Sequence, residues 1–302
     1  MGHAATAPTV KCKNIFGQPL SIFGVPVDRE MIFANHRGVY DKGMEKRQRR
    51  LIIKSTFIKF FMDSGEQIRC LTTGCSPVST LDQVLTGPGF LLLKRAIFIF
   101  TDKRILHIPT RLDRSPRGAV SQILYQDCAH IDLKGRTLNV AYKNGTQEAF
   151  HYLGRRERRK IQSLLAELPN SPKTAGHFQG RVHLCPSCAT ILPDAGIACQ
   201  ACKIKFKSRS QAKLRALLIP GGGFFYCCYP ILGTMTALFE IVLMGAALIM
   251  LISSGSGLAE KVGFLAAFVM LLAIVKTVST YHAVQQISDF VPEQQDYAMR
   301  KV

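Results

Sequence analysis

The chain has 302 residues and a formal net charge of +19. That is room for two or three modest domains and excludes one large core. Hydrophobic residues reach 47% beside 20% charged residues, so the apolar residues must be concentrated, and they crowd into 216–288. The charge implies attraction to a polyanion, either nucleic acid or an anionic lipid surface. Of the ten cysteines, four stand in paired spacing and six are scattered. This argues against a disulfide scaffold and for a reducing compartment. Met1 to Lys13 lacks an apolar core, so no secretory signal is expected there.

Residues 1–65 read as a lead-in with a basic segment. Its first part mixes Pro, Gly and apolar residues without periodicity. From Glu45 it runs Glu-Lys-Arg-Gln-Arg-Arg into Leu51-Ile52-Ile53. The charge run reads as a solvated basic turn leading into a buried element. A basic amphipathic helix lying on a membrane is the alternative.

Residues 66–168 read as one β-rich domain. Ala96 to Phe100, Thr101-Asp102-Lys103-Arg104 and Ile105 to Ile108 form strand, tight turn and strand. Gln122 to Tyr125 and Ala129 to Leu133 add short strands, and Thr137 to Tyr142 alternates as a half-buried strand does. Asn144-Gly145 then marks a hairpin, since both residues tolerate positive φ. Gln147 to Leu153 returns. A helix over Arg155 to Leu168 puts Ile161, Leu164, Leu165 and Leu168 on one face and Arg and Lys on the other, and Pro169 ends it. The strand–Thr-Asp-Lys-Arg–strand unit, Gln126 to Ile131 and the Asn-Gly hairpin before a closing helix resemble the bacterial pleckstrin-homology-like (PH-like) domain. The resemblance implies a seven-stranded, helix-capped barrel serving binding or assembly rather than catalysis; the basic inositol-phosphate signature of eukaryotic lipid-binding members has no counterpart in the sequence. Residues 169–182, rich in Pro, Gly and Ser, read as a linker.

Residues 183–206 hold Cys185-Pro-Ser-Cys188 and Cys199-Gln-Ala-Cys202, with ten residues between the pairs. Each pair offers two thiolates from one tight turn. Two facing turns, joined by a hairpin through Pro193 to Gly196, supply the tetrahedral four-sulfur set that Zn2+ prefers. The segment resembles a rubredoxin-like or zinc-ribbon module, and four thiolates leave no open position, so the metal is expected to be structural. His183 is expected to be a surface histidine.

Residues 207–230 are a basic juxtamembrane and interfacial segment. Lys203, Lys205, Lys207, Arg209, Lys213 and Arg215 give six cations and no acid within thirteen residues, suited to anionic membrane lipids. Pro220 and Gly221 to Gly223 then forbid a continuous helix, a stretch similar to the Pro-Gly-Gly lead into small two-helix membrane modules. Cys227 and Cys228 read as small apolar residues, with acylation as the alternative. Residues 231–302 are a two-helix transmembrane region with a tail. Residues 231–253 and Val262 to His282 each suffice to cross a hydrocarbon core of about 30 Å, with Glu240 and Lys276 as their only charges. Glu240 at such depth marks either function or a polar partner on another helix. The cationic flank places both ends and the soluble portion on the cytosolic face of an inner membrane, with Ser253 to Glu260 on the far side.

Glycine-rich nucleotide loops, GxSxG and HExxH are absent, and His107, His130 and His151 fall on strands without an obvious Cys or Ser partner. The expected fold class is therefore multidomain: a helix-capped PH-like barrel, a small zinc ribbon and a helical membrane hairpin. The expected role is a non-catalytic scaffold that binds a protein partner or self-assembles as a homo-oligomer. Nucleic-acid binding at the membrane and an oligomeric transport accessory using Glu240 are the competing readings.

Overall fold

The computed structural model describes residues 21–78, 89, 93–167, 179–193, 196–252, 257–287 and 290–293. They divide into two compact units, one running to 193 and the other from 196 to 293. Most of the expected linker, Pro169, the tip of the cysteine hairpin, the loop between the spans and the C-terminal tail lie outside the described residues.

In the first unit, strands β1 (Ser21–Ile22) and β2 (Val25–Pro26) form a small hairpin, followed by helices α1 (Arg29–Phe33) and α2 (Lys42–Lys54). Both helices start at an aspartate whose carboxylate takes orphan N–H groups: Asp28 accepts from Met31 at 3.1 Å, and Asp41 from Gly43 at 2.7 Å. The basic run after Glu45 is thus helical. Its Met44, Leu51 and Ile52 are buried, with Gln48 between them. Gln48 is locked into the sheet, donating to the Leu71 carbonyl at 2.7 Å and accepting from the Leu71 N–H at 2.8 Å. The described part of the lead-in is therefore core, and the apolar face that could have lain on a membrane is occupied; residues 1–20 lie outside the described residues.

The sheet explains why. A five-stranded antiparallel sheet has the order β10-β6-β5-β4-β3, from β3 (Ile68–Cys75), β4 (Arg95–Thr101), β5 (Arg104–Pro109), β6 (Val120–Leu124) and β10 (Val182–Leu184). Alternate residues on a strand face opposite sides, and here both sides are covered. Ile97, Ile99, Leu106 and Ile108 pack beneath the N-terminal helices. Phe98, Phe100 and Ile105 meet a second sheet, β7 (Cys128–Lys134), β8 (Thr137–Tyr142) and β9 (Gln147–Phe150), together with helix α3 (Arg158–Ala166). Burial on both faces is why Ala96 to Phe100 is apolar without a break and Ile105 to Ile108 is interrupted only by His107.

The expected closed barrel is not formed. Tyr125–Asp127 is a 3-10 turn between β6 and β7, and these two strands belong to different sheets. The far seam is reduced to a single bridge between Cys75 and His151. β9 stops at Phe150, and Tyr152 has a φ of 57°. The Asn-Gly hairpin is as expected, with Gly145 at φ 87°.

Helix α3 corrects its expected polar face. Lys160 is 3% exposed, its ammonium donating to the carbonyls of Met31, of Ile32 at 2.9 Å and of Ala34 at 3.1 Å. A cation at the C-terminal end of α1 meets the partial negative charge of its last carbonyls. Burial nonetheless pushes the Lys160 ammonium below its ordinary range.

In the second unit, Ser208 caps α4 (Arg209–Leu218), accepting from the Gln211 N–H at 3.2 Å. A break at Pro220 leads to α5 (Gly222–Tyr226), α6 (Pro230–Ile252) and α7 (Leu258–Gln285). Gly221 has a φ of 63°, and a Cβ there would lie 2.1 Å from the Gly233 carbonyl oxygen. Only glycine fits this crossing of the break over α6. α6 and α7 are long and apolar enough to span a membrane, with mean hydropathies of 2.3 and 2.2. Their side chains are mostly exposed, unlike those of a soluble core helix. At 28 residues α7 exceeds one crossing, and the buried Ser279, His282 and Ala283 lie in its last turns.

Candidate metal centre and its membrane flank

The cysteines stand on two knuckles of the same construction. After β10, the Ala189 N–H donates to the Cys185 carbonyl at 2.9 Å and the Cys185 N–H to Thr190 at 2.9 Å. At the second knuckle, the Lys203 N–H donates to Cys199 at 3.0 Å and the Cys199 N–H to Ile204 at 2.9 Å. In both, the fourth residue after the first cysteine is left-handed: Ala189 at φ 56° and Lys203 at φ 61°. Each knuckle thus carries its two thiols on one tight turn. The sulfurs of Cys185, Cys188, Cys199 and Cys202 all lie within 4.8 Å of one another. Cys185 and Cys199 are buried and the second cysteine of each pair is more exposed. The group can hold a metal ion. His183 is half-buried on β10 and outside the group, its carbonyl accepting from Leu192 at 2.9 Å.

The six flanking cations divide. Lys203, Lys205, Arg209, Lys213 and Arg215 are exposed. Lys207 is not: it is 7% exposed, its ammonium donating to the Tyr226 carbonyl and lying 2.9 Å from the Cys228 sulfur, over the Tyr226 ring. It holds α5 to the start of the flank and is withdrawn from any lipid surface. On α4 the exposed Leu214, Leu217 and Leu218 accompany the cations.

Glu240 has a partner. Lys276 on α7 reaches its Oε2 at 2.8 Å, with the carboxylate 1% and the lysine 17% exposed. The same ammonium donates to the Ala216 carbonyl at 2.9 Å and to Ile219 at 3.3 Å, and the Gly221 N–H donates to Glu240 Oε2 at 3.3 Å. The only charges of residues 231–253 and 262–282, the end of α4 and the proline-glycine break therefore meet in one polar nucleus. Among the described residues Glu240 Oε1 has no hydrogen-bond partner. The pairing was legible: Glu240 lies ten residues into α6 and Lys276 nine before the end of α7, about 15 Å along each antiparallel helix.

Other polar groups were missed. His107, fully buried, has a serine on each ring nitrogen, Ser76 and Ser121, both at 2.9 Å. The expectation that it lacks a serine partner is therefore wrong. Both serines are buried and the ring lies against Phe98 and Phe150, so the trio bridges strands inside the core. Arg104 of the turn motif points inward. Its guanidinium grips Glu66 through Nη2–Oε2 at 2.7 Å and Nε–Oε1 at 3.0 Å, and also donates to the Phe61 carbonyl at 2.7 Å and to Gln122. Burial alone would raise the Glu66 carboxyl. Arg104, the Asp63 N–H and Thr101 together hold it below the usual carboxylate range.

No protein-family model matches the sequence, and comparison with curated proteins and with solved structures returns no match.

Proposed function

We propose that this protein is a non-catalytic scaffold or adaptor, anchored by the α6–α7 hairpin, that binds a protein partner or assembles with itself on the cytosolic side of an inner membrane. The observation that carries this reading is the use of the first unit's buried ionisable groups. His107, Glu66, Arg104 and Lys160 are each hydrogen-bonded so as to tie one element to another. They build a rigid body whose chemistry is spent on holding shape. Seven strands, β3 to β9, followed by α3 support a PH-like ancestry in an opened form, with β10 added beside β6.

Zn2+ is the metal that the four thiolates fit. Tetrahedral zinc with sulfur at about 2.3 Å sets the sulfurs about 3.8 Å apart, a small contraction from the observed group. All four positions are filled by protein, so its role is to hold the two knuckles together. The five exposed cations and the leucines of α4 favour an anionic lipid surface as the neighbour of this flank. The pairing of Glu240 with Lys276 inside one chain supports an anchoring role for that carboxylate over transport.

The test is cross-linking of the full chain in native membranes, followed by purification in mild detergent, mass analysis of partners and assay for nucleic acid. A reproducible protein partner or a homo-oligomer cross-linked through residues 21–193 is expected. Stoichiometric nucleic acid retained at physiological salt, without a protein contact, would replace the scaffold by the nucleic-acid reading.

A further inference from the structure

Five arginines stand among the residues that line one concavity of the first unit. A hollow of about 740 Å3 lies among Arg47, Arg155, Arg156, Arg158 and Arg159, with His36 at its margin. Asp41 is the one carboxylate in the lining, and its Oδ1 is engaged by the N–H groups of Gly43 and Met44. Glu157, 2% exposed, pairs with Arg47 at 2.6 Å. Arg155, Arg156, Arg158 and Arg159 are exposed and make no side-chain hydrogen bond or ion pair among the described residues.

Like charges gathered with too few counter-ions repel one another, and this gathering is built in. The Arg47–Glu157 pair joins α2 to the start of α3. The Lys160 ammonium, one residue beyond Arg159, fastens α3 to the end of α1, beside Asn35 and His36. The walls are therefore fixed before any ligand arrives. A guanidinium presents a planar fork of donors that matches two oxygens of a phosphate. Four unpaired forks about one hollow exceed what a single carboxylate satisfies, and the volume admits more than one phosphate group.

We propose that this hollow binds a phosphate monoester or diphosphate group, carried by a soluble molecule or by a lipid headgroup. The site is separate in sequence from the cations that flank the membrane spans, and it would stand if the scaffold reading fell.

The experiment uses the full chain in phosphatidylcholine nanodiscs, titrated with inorganic pyrophosphate by calorimetry. Saturable binding is expected. Arg158→Gln with Arg159→Gln should weaken it at least about tenfold, since each lost charge-assisted bond contributes more than a neutral one. Lys103→Gln with Lys134→Gln, which removes the same charge from exposed sites elsewhere on this unit, should leave it unchanged. Should the arginine pair disturb folding, Arg155→Lys with Arg156→Lys keeps the charge and removes the forks, and it too should weaken binding. Phosphatidic acid in the nanodisc distinguishes the sources: competition with pyrophosphate identifies a headgroup, and unaltered affinity a soluble ligand. Equal loss in the arginine and lysine variants, or no loss in either arginine variant, would overturn the proposal. So would a single-stranded oligonucleotide that outcompetes pyrophosphate through the same arginines.

Discussion

Replacing Arg104 by methionine should reveal how much of the first unit depends on one turn. The guanidinium meets a carboxylate with no exposed surface through two bonds of 2.7 and 3.0 Å. At an effective dielectric of about 20, unit charges 2.7 Å apart attract by about 6 kcal/mol. Desolvation of both groups offsets much of that attraction, so the pair contributes little net over an apolar substitute. Removing one partner is different, because Glu66 then remains buried with only Thr101 and the Asp63 N–H to face it, at a cost of about 3–5 kcal/mol. For a unit of this size that is a fall in Tm of roughly 6–20 °C. Arg104→Met with Glu66→Gln should recover most of it. The pH dependence gives a second, independent reading. The folded carboxyl lies below its ordinary value, so its stabilisation is fully present above the unfolded pKa near 4.5. It is lost as pH falls from there through the folded pKa. Hydrogen exchange at the β4 and β5 amides of the full chain, measured from pH 7 down to 3.5, should show opening below about pH 4.5. Glu66→Gln should remove this contribution to the acid response. An unchanged acid profile in Glu66→Gln, or a double variant no more stable than Arg104→Met, would refute the reasoning.

The metal group should bind one zinc per chain, and Cys188→Ser should lower the zinc content sharply by elemental analysis; unaltered content would dismiss the site. Lys276→Met and Glu240→Gln should each destabilise the hairpin by more than their combination implies. A coupling of at least about 1 kcal/mol is expected from detergent unfolding, and strict additivity would dissolve the proposed polar nucleus. For topology, Gly257→Cys should react with a membrane-impermeant thiol reagent added outside intact cells, and protection there with labelling of the opposite end would invert the orientation.

What could be read from the residues alone was whatever a local rule encodes. The Asn144-Gly145 hairpin needs only positive φ, the CxxC pairs need only their own tight turns, and the spans need only length and hydropathy. The failures concern partners distant in the chain. The helix after Glu45 looked like a solvated charge run because the sheet face it covers begins at Ile68. Lys160 and Lys207 look like surface cations until the carbonyls they cap, from Met31 and Tyr226, are brought beside them. His107 seemed unpartnered because Ser76 and Ser121 reach it only across strands. The barrel expectation failed at Tyr125–Asp127, a short 3-10 turn between strands that belong to different sheets.

The Glu240–Lys276 contact also sets an order of events during synthesis. The carboxylate leaves the ribosome 36 residues ahead of the lysine, an interval of roughly 2–7 s at about 5–20 residues per second. Throughout it, the first span carries a charge that hydrocarbon rejects. Until Lys276 follows, a membrane-inserted Glu240 would stand in hydrocarbon without its partner, at a cost of a few kcal/mol. In the proposed membrane anchoring the two spans would enter the bilayer together, and a ribosome stalled between these two residues would hold the protein at the threshold of the membrane.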